Sequence, residues 1–156
     1  MSQTTAPAPA DPAAPDEALA AQPIGYWSGV VHKAVIGRIR DEMARIDVTQ
    51  PQWWTLNQVA AGGDAGPSRE DVAARLADFA DSPDEPGRAV DQLLHRGWLG
   101  TGEDGRLRVT ESGLEAMARI KELVTALRAE IHEGITDEEW VAALKVLRRM
   151  KENLAR

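Results

Sequence analysis

Apolar residues recur at three- and four-residue steps from position 24 onward, which is the repeat of one face of an α-helix. A first long helix of about 22 residues is predicted there, with a stripe formed by Ile24, Trp27, Val31, Val35, Ile39, Met43 and Ile46. Thr49 and Gln52 form a capping box that opens a second helix,. A third helix begins at Ser68 and is expected to bury Val72, Ala73, Leu76 and Phe79.

A fourth helix begins near Glu85 and is closed by Gly97, and it leads into the one clear strand signal,. Positions 98–109 predict a β-hairpin in which Leu107 and Val109 face the core and the alternating Arg106 and Arg108 face outward,. Two more helices follow. The first is capped by Thr110 and carries the stripe Leu114, Met117, Ile120, Val124, Leu127 and Ile131,. The second begins with the capping box of Thr136 and Glu139,.

Residues 1–23 break this pattern. They are rich in Ala and Pro and hold no Lys or Arg, so the basic start of a secretory signal is missing,. The proline spacing opposes a regular helix. We expect a disordered acidic tail here, a cytoplasmic location, and no membrane span, since no apolar run is long enough.

The order of these elements predicts the fold. A helix, a short turn, a second helix and a hairpin make a winged helix-turn-helix, in which the second helix lies in a DNA major groove and the hairpin reaches the adjacent backbone or minor groove. The fold class is therefore mainly α (α+β), with long flanking helices that pair across a two-fold axis. The predicted parts are the tail (1–23), an N-terminal dimerisation helix (24–48), the winged-helix module (49–113) and the C-terminal dimerisation helices (114–156).

Four segments, in this order, resemble the MarR family of bacterial transcriptional regulators: 49–54 (TQPQWW), 68–73 (SREDVA), 93–99 (LLHRGWL) and 108–114 (RVTESGL). The resemblance covers about residues 24 to 155. It implies a homodimer that binds a pseudo-palindromic operator in double-stranded DNA, usually as a repressor. It also implies release by a small, often aromatic or phenolic, effector. The fourth helix departs from the family, because positions 84–88 (DEPGR) replace its usual hydroxyl and basic residues.

The net negative charge of the chain is compatible with a second function. The chain has 18 Lys and Arg against 25 Asp and Glu, a net charge of −7, and residues 49–113 alone carry six cations and eleven anions. That sign opposes binding to phosphate. The protein is either a regulator whose few arginines make the DNA contacts, or a winged-helix dimer that has lost DNA binding and serves as a ligand-binding or protein-interaction module.

The candidate DNA-binding residues are cations and helix-start residues of the winged-helix module. Arg88 either contacts DNA or pairs with Glu85 or Asp91, and Arg108 either contacts DNA or bridges to Asp104. Ser68 either meets a phosphate or simply caps its helix. The full candidate set is Arg88, Arg106, Arg108, Ser68, Arg69 and Gly87.

Aromatic residues near the junction of the first two helices predict a cleft for a flat effector. Core packing stays open for Trp27 and Trp53, and adjacent Trp53 and Trp54 are not expected to face one core together. The candidate ligand residues are Tyr26, Trp27, His32, Trp53 and Trp54. Trp98 and Trp140 are interpreted as structural, and the predicted dimer interface contains Ile24, Trp140, Leu144, Leu147 and Leu154.

Other chemistry finds little support in the sequence. With no cysteine, disulfides, thiolate metal sites and thiol redox sensing are excluded,. The three histidines are far apart, so no metal or other cofactor is expected,. Nucleophile-elbow and phosphate-loop motifs are missing, so we expect no enzyme.

Overall fold

The computed structural model describes residues 15–156. These fall into two compact units, one ending at Ile36 and one spanning Gly37–Arg156, with the boundary inside a helix, and each unit is described by itself. The elements are α1 (Asp16–Ala20), α2 (Ile24–Arg45), α3 (Gln50–Ala61), a short 3-10 helix (Gly63–Ala65), α4 (Arg69–Leu76), α5 (Glu85–His95), β1 (Leu99–Thr101), β2 (Leu107–Val109), α6 (Glu111–Ile131) and α7 (Asp137–Leu154).

The first unit contains a helical turn that the sequence analysis did not predict. Pro15 precedes α1, and Asp16 and Glu17 lie in its first turn, where carboxylates interact favourably with the helix dipole,. Asp16–Ala20 is helical within the predicted tail of residues 1–23, and no proline lies between Pro15 and Pro23. The rest of the predicted tail, positions 1–14, lies outside the described residues.

The second unit has a core formed by the winged-helix module and the helices that flank it. Leu56 of α3 and Leu93 of α5 are 0 % exposed at its centre. Further residues of α3 and α5, together with residues of α2, the segment after it, α4, the hairpin and α6, close around them, namely Met43, Val48, Val59, Val72, Leu76, Val90, Leu99, Leu107 and Ile120.

The predicted helix starts at Thr49, Ser68 and Thr136 are confirmed, and each depends on a local hydrogen-bond pattern. Thr49 Oγ1 accepts from the Gln52 N–H, and the Gln52 side chain accepts from the Thr49 N–H. The same reciprocal pattern caps α4 through Ser68 and α7 through Thr136. These caps satisfy backbone donors that a helix start leaves unpaired.

In the predicted third helix and in the helix that Thr110 caps, two residues of the apolar stripes are exposed. Phe79 is 65 % exposed because α4 ends at Leu76, so the helical spacing no longer applies at position 79. Leu114 is 57 % exposed because the buried face of α6 follows Gly113, Ala116, Ile120 and Leu127. Position 114 lies about 100° away from Gly113 around that helix.

The outer face of α7 packs against no other part of the described chain. None of its residues is buried, and its large apolar side chains Val141, Leu144, Val146, Leu147 and Leu154 are exposed. Trp140 is half-buried, with its ring centroid 3.8 Å from that of His132. No helix within residues 15–156 is both long and apolar enough to cross a membrane.

The hairpin is confirmed, and it is tied to the loop before α4. β1 and β2 pair antiparallel with Leu99 opposite Val109. The Leu107 N–H also donates to the Pro67 carbonyl at 2.9 Å. At Gly66, whose φ is +67°, an added Cβ would lie 2.2 Å from the Leu107 carbonyl oxygen. Glycine is therefore required here both by the backbone conformation and by the close approach of the hairpin.

Gly66→Ala is expected to lower the free energy of unfolding by more than about 2 kcal/mol, because it adds a clash to the cost of a positive φ. Gly63→Ala is the matched control, since Gly63 has φ +61° and nothing within 4 Å of an added Cβ. It should cost about 1 kcal/mol. Urea unfolding of both variants measures the difference, and equal losses would contradict a tight contact between loop and hairpin.

Candidate nucleic-acid interface

Helix α5 has a buried inner face and an exposed outward face. Pro86, Ala89, Val90 and Leu93 are buried against the core. The exposed positions on the other side are Asp84, which precedes the helix, Arg88, Asp91, Gln92 and His95. Their spacing of three and four residues places most of them on one face.

Arg88 is held by residues that lie just before and at the start of α5. Its Nη1 donates to the Asp84 carboxylate, and its Nη2 donates to Ser82 Oγ at 3.3 Å. The ion pair that the sequence left open is therefore present, but the predicted partners were wrong. Glu85 instead accepts from the Asp81 N–H, and Asp91 pairs with Arg69. Asp84 is one helical turn from Arg88, which favours their contact.

Arg69 joins the start of α4 to the outward face of α5. Its Nη2 lies 2.9 Å from Asp91 Oδ1 and donates to the Gly87 carbonyl at 3.4 Å. Gly87 thus contributes a backbone acceptor, and the space beside its Cα is open. Ser68 Oγ accepts from the Asp71 N–H at 3.0 Å, so capping accounts for Ser68,.

The two hairpin arginines fold against the loop at 62–67. Arg108 Nε donates to the Asp64 carbonyl at 3.1 Å, and its Nη2 lies 3.5 Å from Asp104 Oδ2, as the bridging alternative predicted. Arg106 Nη1 donates to the Gly66 carbonyl at 2.9 Å. That partner is neutral, and within residues 15–156 no carboxylate lies within 4.0 Å of the Arg106 guanidinium, although its charge contributes to the lowered pKa of both Asp71 and Asp104.

Three carboxylates of this surface are stabilised in their charged form. Hydrogen bonds from the Ser68 N–H and hydroxyl lower the pKa of Asp71. Hydrogen bonds from the Ser82 hydroxyl and from the backbone N–H of Asp84, followed by the charge of Arg88, lower the pKa of Asp84. The Arg106 N–H and the charge of Arg108 lower the pKa of Asp104. The surface therefore keeps these negative charges at neutral pH.

The candidate ligand residues belong to both units. In the first unit, Trp27 Nε1 donates to the Gln22 side chain at 2.6 Å, the Tyr26 ring packs edge-on against Trp27, and His32 is exposed. In the second unit, Trp53 and Trp54 are both half-buried and both pack against the core. The expectation that these neighbours could not share a core is wrong, because each covers it with part of its ring.

A cavity of about 400 Å³ lies elsewhere in the second unit, beside the first turn of α5. Its lining includes Arg40, Val48, Pro51, Asp81, Glu85 and Arg88, and none of the predicted aromatic residues. Across residues 15–156, no three side chains of His, Asp or Glu come together as a metal-binding group.

Sequence reasoning did not identify Ser82 or His95 as part of this surface, and it identified Asp84 only as an acidic residue at the start of the fourth helix. Asp84 and His95 lie four residues before and seven residues after Arg88, so helical spacing could have placed all three on one face,. The contact of Asp91 with Arg69 joins two helices and had no signal in local sequence.

No protein-family model and no curated protein matches the chain. Solved structures do match. The reduced form of MarR from E. coli aligns with a TM-score of 0.66 at 18 % identity, covering 87 % of this chain and 98 % of that one. A MarR-family transcriptional regulator from Rhodococcus sp. RHA1 aligns at 0.62 and 22 % identity, covering 84 % and 89 %. S. aureus MepR, solved as a DNA complex, aligns at 0.65 and 16 % identity, covering 83 % and 95 %.

At these identities the similarity establishes the fold. The chain has the winged-helix fold of MarR-family regulators, and the order of elements predicted from its sequence is confirmed.

Asp71→Asn is expected to lower the melting temperature at pH 7, since it removes a carboxylate that Ser68 stabilises. The pKa of Asp71 is lower in the folded state, so its contribution is present above about pH 4, the usual unfolded value, and disappears as the pH falls through the folded value. The melting-temperature difference should therefore shrink at acidic pH.

Thermal unfolding of both proteins from pH 7 to pH 3 measures this effect. Glu70→Gln, which removes a charge from the same helical turn, is the control and lacks a capping role. A deficit in Asp71→Asn that stays constant across this range would show that the charge of Asp71 is not what stabilises α4.

Proposed function

We propose that this chain is a sequence-specific DNA-binding transcriptional regulator that acts as a homodimer on a pseudo-palindromic operator. The observation that supports it most directly is the exposed face of α5, which carries Arg88 and is followed in the chain by the arginine-bearing hairpin. In winged helix-turn-helix proteins this helix enters the major groove. S. aureus MepR, which has a similar fold, was solved in complex with DNA.

In the proposed complex, the two α5 helices of a dimer enter successive major grooves about 34 Å apart. Arg106 contacts a phosphate, since its partner in the free protein is a neutral carbonyl,. Arg88 contacts a base edge, because it lies at the start of the helix,. Arg108 and Arg69 supply further donors beside them, with Ser68 and Gly87 at the same edge of the module.

We assign dimerisation to the terminal helices. Leu144, Leu147 and Leu154 form an exposed apolar stripe on α7, and Ile24 is exposed on α2. A second copy of the chain would bury these side chains, which is the most favourable change available to them in water.

Repression and release by a small aromatic effector complete the proposal. An effector that binds one arrangement of the two DNA-binding modules better than another shifts the population toward it. The exposed parts of Trp53 and Trp54 in the second unit remain candidates for recognising such a ligand, and Tyr26, Trp27 and His32 of the first unit remain separate candidates. The cavity beside α5 offers a second location, where a ligand would contact Arg88 directly.

A second function is favoured by the charge. Residues 49–113 carry a net −5, and the arginines of α4 and α5 described above already have carboxylate partners. A winged-helix dimer that has lost DNA binding and serves as a ligand-binding or protein-interaction module would show these same features.

Arg106→Ala distinguishes the two functions. The probe is a duplex that the wild-type protein selects from a random pool. The variant should bind it about tenfold more weakly at moderate salt. The negative slope of log K against log salt should become less steep by about two units per dimer. Mobility shifts or fluorescence anisotropy at several salt concentrations measure both quantities.

Arg128→Ala is the matched control, because Arg128 is an exposed arginine on α6 outside the winged-helix module. It should leave the affinity and the slope nearly unchanged. Failure of the wild-type protein to retain any duplex from the pool at low salt would favour the second function.

Leu144→Asp is expected to convert the dimer into monomers, because a charge in the centre of the α7 stripe opposes its burial,. Ala142→Asp is the control, since position 142 lies on the opposite side of α7 and is exposed,. Sedimentation velocity at micromolar concentration gives the oligomeric state. A dimeric Leu144→Asp protein would show that the stripe is not the interface.

A further inference from the structure

Two aspartates of the outward face of α5 each hold an arginine. Asp84 pairs with Arg88, and Asp91 pairs with Arg69 at 2.9 Å. All four side chains are at least 42 % exposed, so the pairs lie on the surface rather than in the core. Surface pairs contribute little to folding stability, so their value to the fold does not account for acidic residues on a face suited to DNA.

The pairing cancels the charge by which these arginines would attract DNA. Attraction to phosphate comes from net positive charge and is the same for every sequence. A guanidinium with a carboxylate beside it forms a nearly neutral group, and an exposed aspartate also repels phosphates. Arg88 and Arg69 therefore add little to binding at arbitrary sequences while these pairs persist.

The pairing leaves most of the hydrogen-bond donors in place. A guanidinium has five N–H groups. Arg88 uses two of them, on Asp84 and Ser82, and Arg69 uses its Nη2 group on Asp91 and Gly87. Within residues 15–156, three N–H groups of each have no partner. Guanine O6 and N7 together accept two such donors, and a carboxylate that orients the guanidinium lowers the entropy lost on binding.

We propose that Asp84 and Asp91 are specificity-determining residues, which prevent Arg88 and Arg69 from binding phosphates at arbitrary sequences and hold them for hydrogen bonds to base edges. This inference rests on the proposed function. Arg106 provides the contrast, because its neutral partner leaves its charge available for the sequence-independent contact. Charge-based and base-specific contacts are thereby assigned to different arginines.

Asp84→Asn and Asp91→Asn, singly and together, test this assignment. Asparagine keeps an oxygen that accepts the hydrogen bond of the arginine, so the substitution removes mainly the charge. Glu115→Gln is the matched control for each single variant, since it makes the same change in net charge at an exposed position of α6, and Glu115→Gln combined with Glu122→Gln matches the double variant. Circular dichroism establishes that each variant is folded. Anisotropy titrations then use a selected duplex and a scrambled duplex of equal length, at two salt concentrations.

The double variant should bind the scrambled duplex about tenfold more tightly than wild type, with a salt slope steeper by about four units per dimer, as expected when two further arginines of each protomer neutralise phosphates. Its affinity for the selected duplex should rise less than about threefold. The discrimination, which is the ratio of the affinities for the selected and the scrambled duplex, should therefore fall. The Glu115→Gln protein should retain the wild-type discrimination. The inference would be overturned if the double variant discriminated between the two duplexes as well as the wild type does. It would also be overturned if the affinity for the scrambled duplex rose only as much as in the control that combines Glu115→Gln with Glu122→Gln. Neither result would contradict the proposed function.

The experiment also detects a failure of the proposed function that leaves the inference intact. If the wild-type protein binds no duplex, the proposed function fails. Gain of scrambled-duplex binding by the double variant would then still support the suppressing role of the two aspartates. A double variant that also binds nothing would overturn both.

Discussion

The burial of one side of α5 is the constraint on which the rest of the candidate interface depends. Ala89, Val90 and Leu93 are almost fully buried, and turning the helix would expose them to water,. Their burial fixes the rotation of α5 about its axis. The opposite side, with Arg88 and Asp91, is then exposed as a consequence of the 3.6-residue repeat,.

A second constraint fixes the hairpin relative to α4. The loop at 62–67 approaches β2 so closely that Gly66 has no room for a side chain, and the Pro67 carbonyl pairs with the Leu107 N–H. Arg106 and Arg108 donate to carbonyls of the same loop. The cationic side of the hairpin is consequently held beside the start of α4, where Arg69 crosses to α5.

These contacts determine how the acidic residues of the module affect DNA binding. Counting charges gives −5 for residues 49–113 and treats every acidic residue as equally opposed to DNA. In the structure the effect is local. Asp84, Asp91 and Asp104 lie beside arginines, whereas the Arg106 guanidinium has a neutral partner. The distribution of ion pairs, rather than their net sum, determines which cations are available to phosphates.

Local chemistry accounts for what was predictable. The caps at Thr49, Ser68 and Thr136 act within four residues, and the Asp104-Gly105 turn within six, so their spacing in the sequence was sufficient. The order of elements then followed, and so did the helix that forms the candidate interface. Phe79 was misplaced because a helix was extended beyond Leu76, where the chain turns.

The sequence by itself therefore determined the elements, their order and the composition of the α5 face. The partners of its arginines were decided by the tertiary structure. Arg69 and Asp91 are 22 positions apart, and Arg106 and Gly66 are 40 apart, and no periodic pattern connects them. Such pairs form only after packing brings their backbones together, because a long side chain can reach several partners equally well until the fold leaves one within hydrogen-bond distance.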